Sequence, residues 1–183
     1  EENTAIGYAT LYSNTDGEYN TAVGNRALLY NTTGDYNTAV GYKTLLDNTT
    51  GTSNIAVGNA ALGSNTTGYN NSAAGASSLL VNTTGVFNAA FGESSLLNNT
   101  TGDDNTAVGA TALKSNTTGD KNTAVGYGAA DVITTGSNNV IIGHSSDPSA
   151  ADATNQIVIG HAATGAGDNT VQLGNTNITN VKT

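Results

Sequence analysis

A glycine returns every 17 residues along this chain. Gly7, Gly24, Gly41, Gly58, Gly75, Gly92, Gly109, Gly126, Gly143 and Gly160 keep the interval without a slip, and Gly174 follows after a step of 14. Around each sits a version of Asn-Thr-Ala-Val-Gly, and most units close on Asn-Thr-Thr-Gly. A fixed period of this kind marks a solenoid, in which each repeat is one turn stacked on the last. The chain is therefore expected to be a rod or slab, and its role to follow from a repetitive surface.

With the first Asn of each unit as position 0, eight units of 17 fill 3–138, and a ninth, 139–155, keeps the length with a different second half. Two units of 14, 156–169 and 170–183, complete a single repeat domain over 1–183, whose last three coils, 139–183, diverge. Position 2 is Ala in all eight leading units, from Ala5 to Ala124, and position 3 reads Ile6, Val23, Val40, Val57, Ala74, Phe91, Val108, Val125. Neighbouring residues in a strand point to opposite faces. Both being apolar, this short strand is expected to be buried on both faces. A thin coil has one interior, so the second face needs a partner, most simply another copy of the chain. That makes Val23, Val40, Val57, Phe91, Val108 and Val125 the candidate interface, since exposed apolar stripes of this length are rare.

Position 8 is Leu in seven of the eight leading units, from Leu11 to Leu113, and should face the interior opposite the strand. Position 9 varies (Tyr12, Leu29, Leu46, Gly63, Leu80, Leu97, Lys114) and reads as an edge. The glycine at position 4 is expected to need a positive φ or close backbone approach. The Asn-Thr-Thr-Gly corner reads as a tight turn. Its Asn and Thr columns are expected to form ladders that satisfy corner backbone groups coil by coil. Its match to the glycosylation sequon is better explained by that corner role.

Composition narrows the function. The chain carries 5 basic and 14 acidic residues, a net charge of -9, against the basic stripe a nucleic-acid binder needs and against anionic membranes. It has no Cys, so no disulfide framework or thiolate metal site. No apolar run reaches the ~20 residues of a membrane span, so no membrane insertion is expected of this segment. Only 37% of residues are hydrophobic, but they recur in register, which a disordered chain does not require. The opening Glu-Glu-Asn-Thr-Ala-Ile-Gly lacks a Met and a signal peptide, and reads as a piece of something longer.

Asn-Thr-Ala-Val-Gly, an Ala-Leu segment, a turn, and coils that shorten to 14 residues together resemble the heads of trimeric autotransporter adhesins and the related β-roll shafts of phage tail fibres. The resemblance covers nearly the whole chain. It implies left-handed parallel β-rolls packed three about an axis, in agreement with the doubly apolar strand. The ending Asn-Thr-Val-Gln-Leu-Gly-Asn-Thr-Asn-Ile-Thr-Asn-Val-Lys-Thr is similar to segments that precede self-cleaving C-terminal chaperone domains in tail fibres. It implies that Thr183 is a cleavage end or a truncation.

The ligand candidates are the aromatics Tyr8, Tyr42 and Tyr127 at position 5 and Tyr19, Tyr36 and Phe87 at position 16, with Tyr30 and Tyr69 in turns. Such rings stack on sugars or anchor proteins, or simply pack along the ladder. His144 and His161, one coil apart, are weak metal candidates if they face a threefold axis. Glu18, Asp35, Asp103 and Asp120 share position 15 and would suit calcium only if a cation bridged them. No cofactor is expected, and no catalytic arrangement is visible. The expectation is an all-β homotrimeric fibre segment, extracellular, on a cell surface or virion, recognising a target-cell glycan or protein. A passive shaft, an ice-binding surface and a polysaccharide-degrading trimeric β-helix are the alternatives.

Overall fold

The computed structural model describes residues 2–178. Eleven three-residue strands follow one another: β1 Thr4–Ile6, β2 Thr21–Val23, β3 Thr38–Val40, β4 Ile55–Val57, β5 Ser72–Ala74, β6 Ala89–Phe91, β7 Thr106–Val108, β8 Thr123–Val125, β9 Val140–Ile142, β10 Ile157–Ile159 and β11 Val171–Leu173. They pair in chain order into one parallel sheet. Register follows the repeat: Ala22 lies against Ala39 and Val23 against Val40, and at the end Ile157 lies against Val171. Each strand passes to the next through one full turn of the chain. The protein is thus an all-β parallel solenoid of about 17-residue coils, roughly 50 Å long at the ~4.8 Å strand spacing.

The interior is built from two facing walls. Ala22, Ala39, Ala56, Ala90, Ala107 and Ala124 point inward from the strands, and Leu28, Leu45, Leu62, Leu79, Leu96 and Leu113 meet them from the opposite side, all without exposure. Position 7 supplies a third buried column of small residues, including Ala27, Ala61, Ser78, Ser95 and Ala112. The hydroxyls of Ser78 and Ser95 donate to the carbonyls of Gly75 and Gly92 in their own coils. Towards the C-terminus the walls trade volume. The Leu column gives way to Ala130 and then Asp147, while the Ala column grows to Ile141 and Val158. In a close-packed interior a lost Leu leaves a void unless a neighbouring column grows.

Positive φ recurs in three columns of ordinary residues. Position 6 (Arg26 at 60°, Lys43 at 55°), position 8 (Leu28 at 51°, Leu45 at 47°) and position 16 (Tyr19 and Tyr36 at 57°) all sit in the left-handed region. That conformation costs a non-glycine residue roughly 1–2 kcal/mol. Each such N–H is bonded to an adjacent coil: Arg26 to the Tyr8 carbonyl at 2.9 Å, Leu28 to Thr44 at 3.0 Å, Tyr36 to Glu18 at 3.0 Å. The left-handed residues turn the corners and aim their amides along the stack.

Two Asn columns close the coil at the Asn-Thr-Thr-Gly corner. In the coil that begins at Asn37, the side-chain amides of Asn37 and Asn48 both donate to the Gly51 carbonyl, at 2.9 and 3.0 Å. Asn48 also donates to the Asn31 side-chain oxygen at 2.7 Å, and the Asn37 backbone N–H to the Asn20 side-chain oxygen at 2.9 Å. These amides are fully buried. Beside them Thr49 donates its hydroxyl to the Thr66 carbonyl at 3.0 Å. The corner is therefore a polar core of its own, with hydrogen bonds running within and between coils.

Candidate functional site

The strands carry the first candidate surface. Because Ala at position 2 faces inward, positions 1 and 3 both face outward. Val40, Val57, Phe91, Val108 and Val125 are 37–45% exposed, and Val23 is half-buried. Ile6, Ile142, Ile159 and Leu173 extend the column to both ends of the sheet. Position 1 runs alongside as Thr4, Thr21, Thr38, Ile55, Ser72, Ala89, Thr106, Thr123, Val140, Ile157 and Val171. The second apolar face inferred from the sequence is thus a continuous outer strip of the sheet, Thr-and-Val in its first half and Val-and-Ile at its C-terminal end.

The aromatic candidates all project from the surface but do not gather into one site. Tyr19 and Tyr36 stack with centroids 4.9 Å apart. Phe87 meets Tyr69 edge-on at 5.4 Å. Tyr127 stacks on His144 at 5.2 Å, and His144 on His161 at 5.4 Å. Lys43 places its ammonium 5.1 Å from the Tyr42 ring. Tyr8 stands apart at the N-terminal end, where it helps wall a cleft with Tyr12, Tyr30 and Arg26. Stacking along the coils is thus confined to Tyr19 with Tyr36 at position 16 and to Tyr127, His144 and His161 at position 5. The His144 and His161 rings lie within 25° of parallel. Among the described residues no three His, Cys, Asp or Glu side chains are grouped to hold a metal ion.

The acidic column at position 15 has a structural use that spacing alone does not reveal. The Asp35 carboxylate accepts the Glu18 backbone N–H at 2.7 Å, Asp103 that of Val86 at 2.7 Å, and Asp120 that of Asp103 at 2.8 Å. Asp168 repeats the contact on Thr154 at 2.8 Å. That N–H bond, aided by the Gln156 amide, holds the Asp168 carboxyl below its ordinary range. Asp147 goes the other way. Burial, and then the charge of Asp131, push its carboxyl up, and its Oδ1 is enclosed without a hydrogen-bond partner. The sequon asparagines Asn31, Asn48, Asn65, Asn82, Asn99 and Asn116 are buried. Part of the C-terminal stretch likened to a chaperone-proximal segment, including Lys182, lies outside the described residues.

Sequence reasoning missed the position-7 column and the cleft at Tyr8. The first had a signal, since position 7 in the first ten coils is Ala, Ser or Thr. The second had none beyond four large side chains in two consecutive coils. No helix among the described residues is long and apolar enough to cross a membrane. In comparisons with protein-family models, curated proteins and solved structures, no match to this chain was found. The class the geometry defines is therefore the parallel β-solenoid repeat protein, identified by its coils rather than by relatives.

Proposed function

We propose that this chain is a segment of an extracellular homotrimeric fibre, non-catalytic, that recognises the surface of a target cell through a glycan or a surface protein. The observation that carries it is the unbroken apolar strip on the outer face of the strands, Ile6 to Leu173. A strip of that length facing water is unfavourable, and covering it with two further copies of itself removes the exposure along the whole rod. The resemblance to adhesin heads and tail-fibre shafts supports the same assembly, with left-handed coils shortening from 17 to 14 residues, and a location on a cell surface or virion. Three parallel rods would present each exposed aromatic column three times, so that individually weak contacts act together. A charge of three times -9 would limit non-specific adhesion. No cofactor, nucleic acid or membrane insertion enters this reading.

Binding of the purified chain to arrayed glycans and to intact cells tests the recognition role. Retention on a defined set of glycans or one cell type supports it. Absence of retention on every surface leaves a passive shaft, with recognition by another domain. Should the strip prove to face water in a monomer, the Thr and Val columns become a flat water-facing surface. Ice binding, read by thermal hysteresis, is then the reading to test.

A further inference from the structure

A hollow between the first two coils gathers several of the exposed aromatic side chains. It is an open hollow of about 340 Å³ lined by Tyr8, Ala9, Tyr12, Arg26, Leu29 and Tyr30. That volume falls within the range of small-ligand sites, which combine aromatic walls with a few placed polar groups. Tyr30, with a coil on either side, is still 51% exposed, and Tyr8 and Tyr12 project beside it from the neighbouring coil. Later coils cannot repeat the site. Where Tyr12 and Tyr30 stand at positions 9 and 10, they carry Leu46 and Asp47, Gly63 and Ser64, or Leu97 and Asn98.

The charge of the cleft is at odds with that of the chain. Arg26 is the chain's one arginine, and Lys43 occupies the same position on the next coil. Two of five cations therefore fall side by side on a protein with a net charge of -9. Arg26 is exposed, and its backbone is held by the bond from its N–H to the Tyr8 carbonyl. A guanidinium fork beside aromatic faces matches a ligand with a planar carboxylate on one edge and an apolar ring face on the other. A carboxylated pyranose has both, and the tyrosine hydroxyls add acceptors and donors for its ring hydroxyls.

We propose that this cleft is a binding site for acidic saccharides bearing a carboxylate, with Arg26 taking the carboxylate and Tyr8, Tyr12 and Tyr30 the ring. The inference rests on the recognition role above and names its ligand class and location. Tyr8 stands two residues beyond Ile6 of the strand strip, so the test is made on the assembled protein.

The test is titration of the assembled protein with glucuronic acid and N-acetylneuraminic acid against glucose, read by saturation transfer and tyrosine chemical shifts. The parent should bind both acids and prefer them to glucose by at least tenfold. Arg26→Gln should abolish the preference while retaining residual ring contact, and Tyr12→Ala with Tyr30→Ala should abolish both. Circular dichroism confirms that the variants keep their β content, as expected for exposed positions. Equal binding of acid and neutral sugar, unchanged binding in Arg26→Gln, or no transfer to tyrosines at millimolar ligand would overturn the site. The two readings fail separately. Loss of this cleft's binding with cell or glycan retention intact sinks only the cleft, whereas loss of all retention sinks the recognition role.

Discussion

The side-chain oxygen of Asn116 is buried without a hydrogen-bond partner because Ile133 stands one coil beyond it. In the preceding coils that oxygen is met by the next Asn amide, as Asn99 Oδ1 is by Asn116 at 2.7 Å. Ile133 has no amide to offer, and it fills space beside Ala130, where the seven preceding coils carry Leu. The two changes form one exchange of volume for a lost hydrogen bond.

Reversing the exchange should stabilise the protein. The double variant Ala130→Leu with Ile133→Asn restores the repeat's own chemistry and gives Asn116 a donor. An unpaired buried acceptor costs about 1–3 kcal/mol, so the urea midpoint should rise. Ala130→Leu alone should overpack and lower it.

The ladder can be probed from its middle. Asn82 donates to the Asn65 side-chain oxygen at 2.9 Å and to the Gly85 carbonyl at 3.0 Å, and accepts from Asn99 at 2.9 Å. Asn82→Ala should destabilise by about 1–3 kcal/mol for the groups left unpaired. Asn82→Asp keeps the shape but sets a buried carboxylate against the Asn65 oxygen. It should be the worse variant at neutral pH and recover ground as acid protonates it.

Two glycines of similar appearance should differ widely in what a methyl group costs them. Gly58 has φ +135°, and a Cβ there would lie 2.6 Å from the Gly75 carbonyl oxygen. Gly58→Ala should therefore disrupt stacking at that coil. Gly128 has φ +59° with nothing nearer than 3.6 Å, and Ala60 and Ala162 hold the same column in other coils at 55° and 47°. Gly128→Ala should meet no clash and carry only the left-handed cost of roughly 1 kcal/mol, seen as a small fall in melting temperature with stacking intact.

Asp147 gives the expected pH dependence. Its carboxyl is raised in the folded chain by burial and by Asp131, so the folded state binds that proton more tightly than the unfolded one. Stability is penalised above the raised value and regained as pH falls through it towards 3.8, the ordinary value. Asp147→Asn should be more stable than the parent at pH 7, with the gap closing below that point. Asp168, shifted downward, contributes the opposite slope and is common to both proteins. Denaturant melts of the pair across pH isolate Asp147.

Period and columns were open to reading from the chain because a solenoid repeats its contacts. The fixed step of Gly7 to Gly160, the inward Ala and Leu walls, and the positive φ of the position-4 glycines all follow from the spacing. The left-handed columns did not, since Arg26, Leu28 and Tyr36 carry no residue-type mark of that conformation. In retrospect the mark is an exclusion: position 8 takes Leu or Ala through the first eight coils, never the Val or Ile that position 3 prefers, and β-branched residues suit positive φ least. The corner glycines also had another reason than the turn. Gly102 has no positive φ, but a Cβ would lie 2.5 Å from the Asn99 side-chain oxygen. The aromatic positions were legible as exposed, but their pairing into separate stacks depends on which coil neighbours carry rings.

The strip from Ile6 to Leu173 as a self-association face is the central claim, and absolute mass by light scattering tests it most directly. The chain weighs 18.3 kDa. The account predicts a species of three times that mass, and its dissociation when Val40, Val57 and Val108 are replaced together by Asp. A folded, β-rich protein that scatters as a monomer at all concentrations, or a triple variant that keeps the parent's mass and melting, would contradict it.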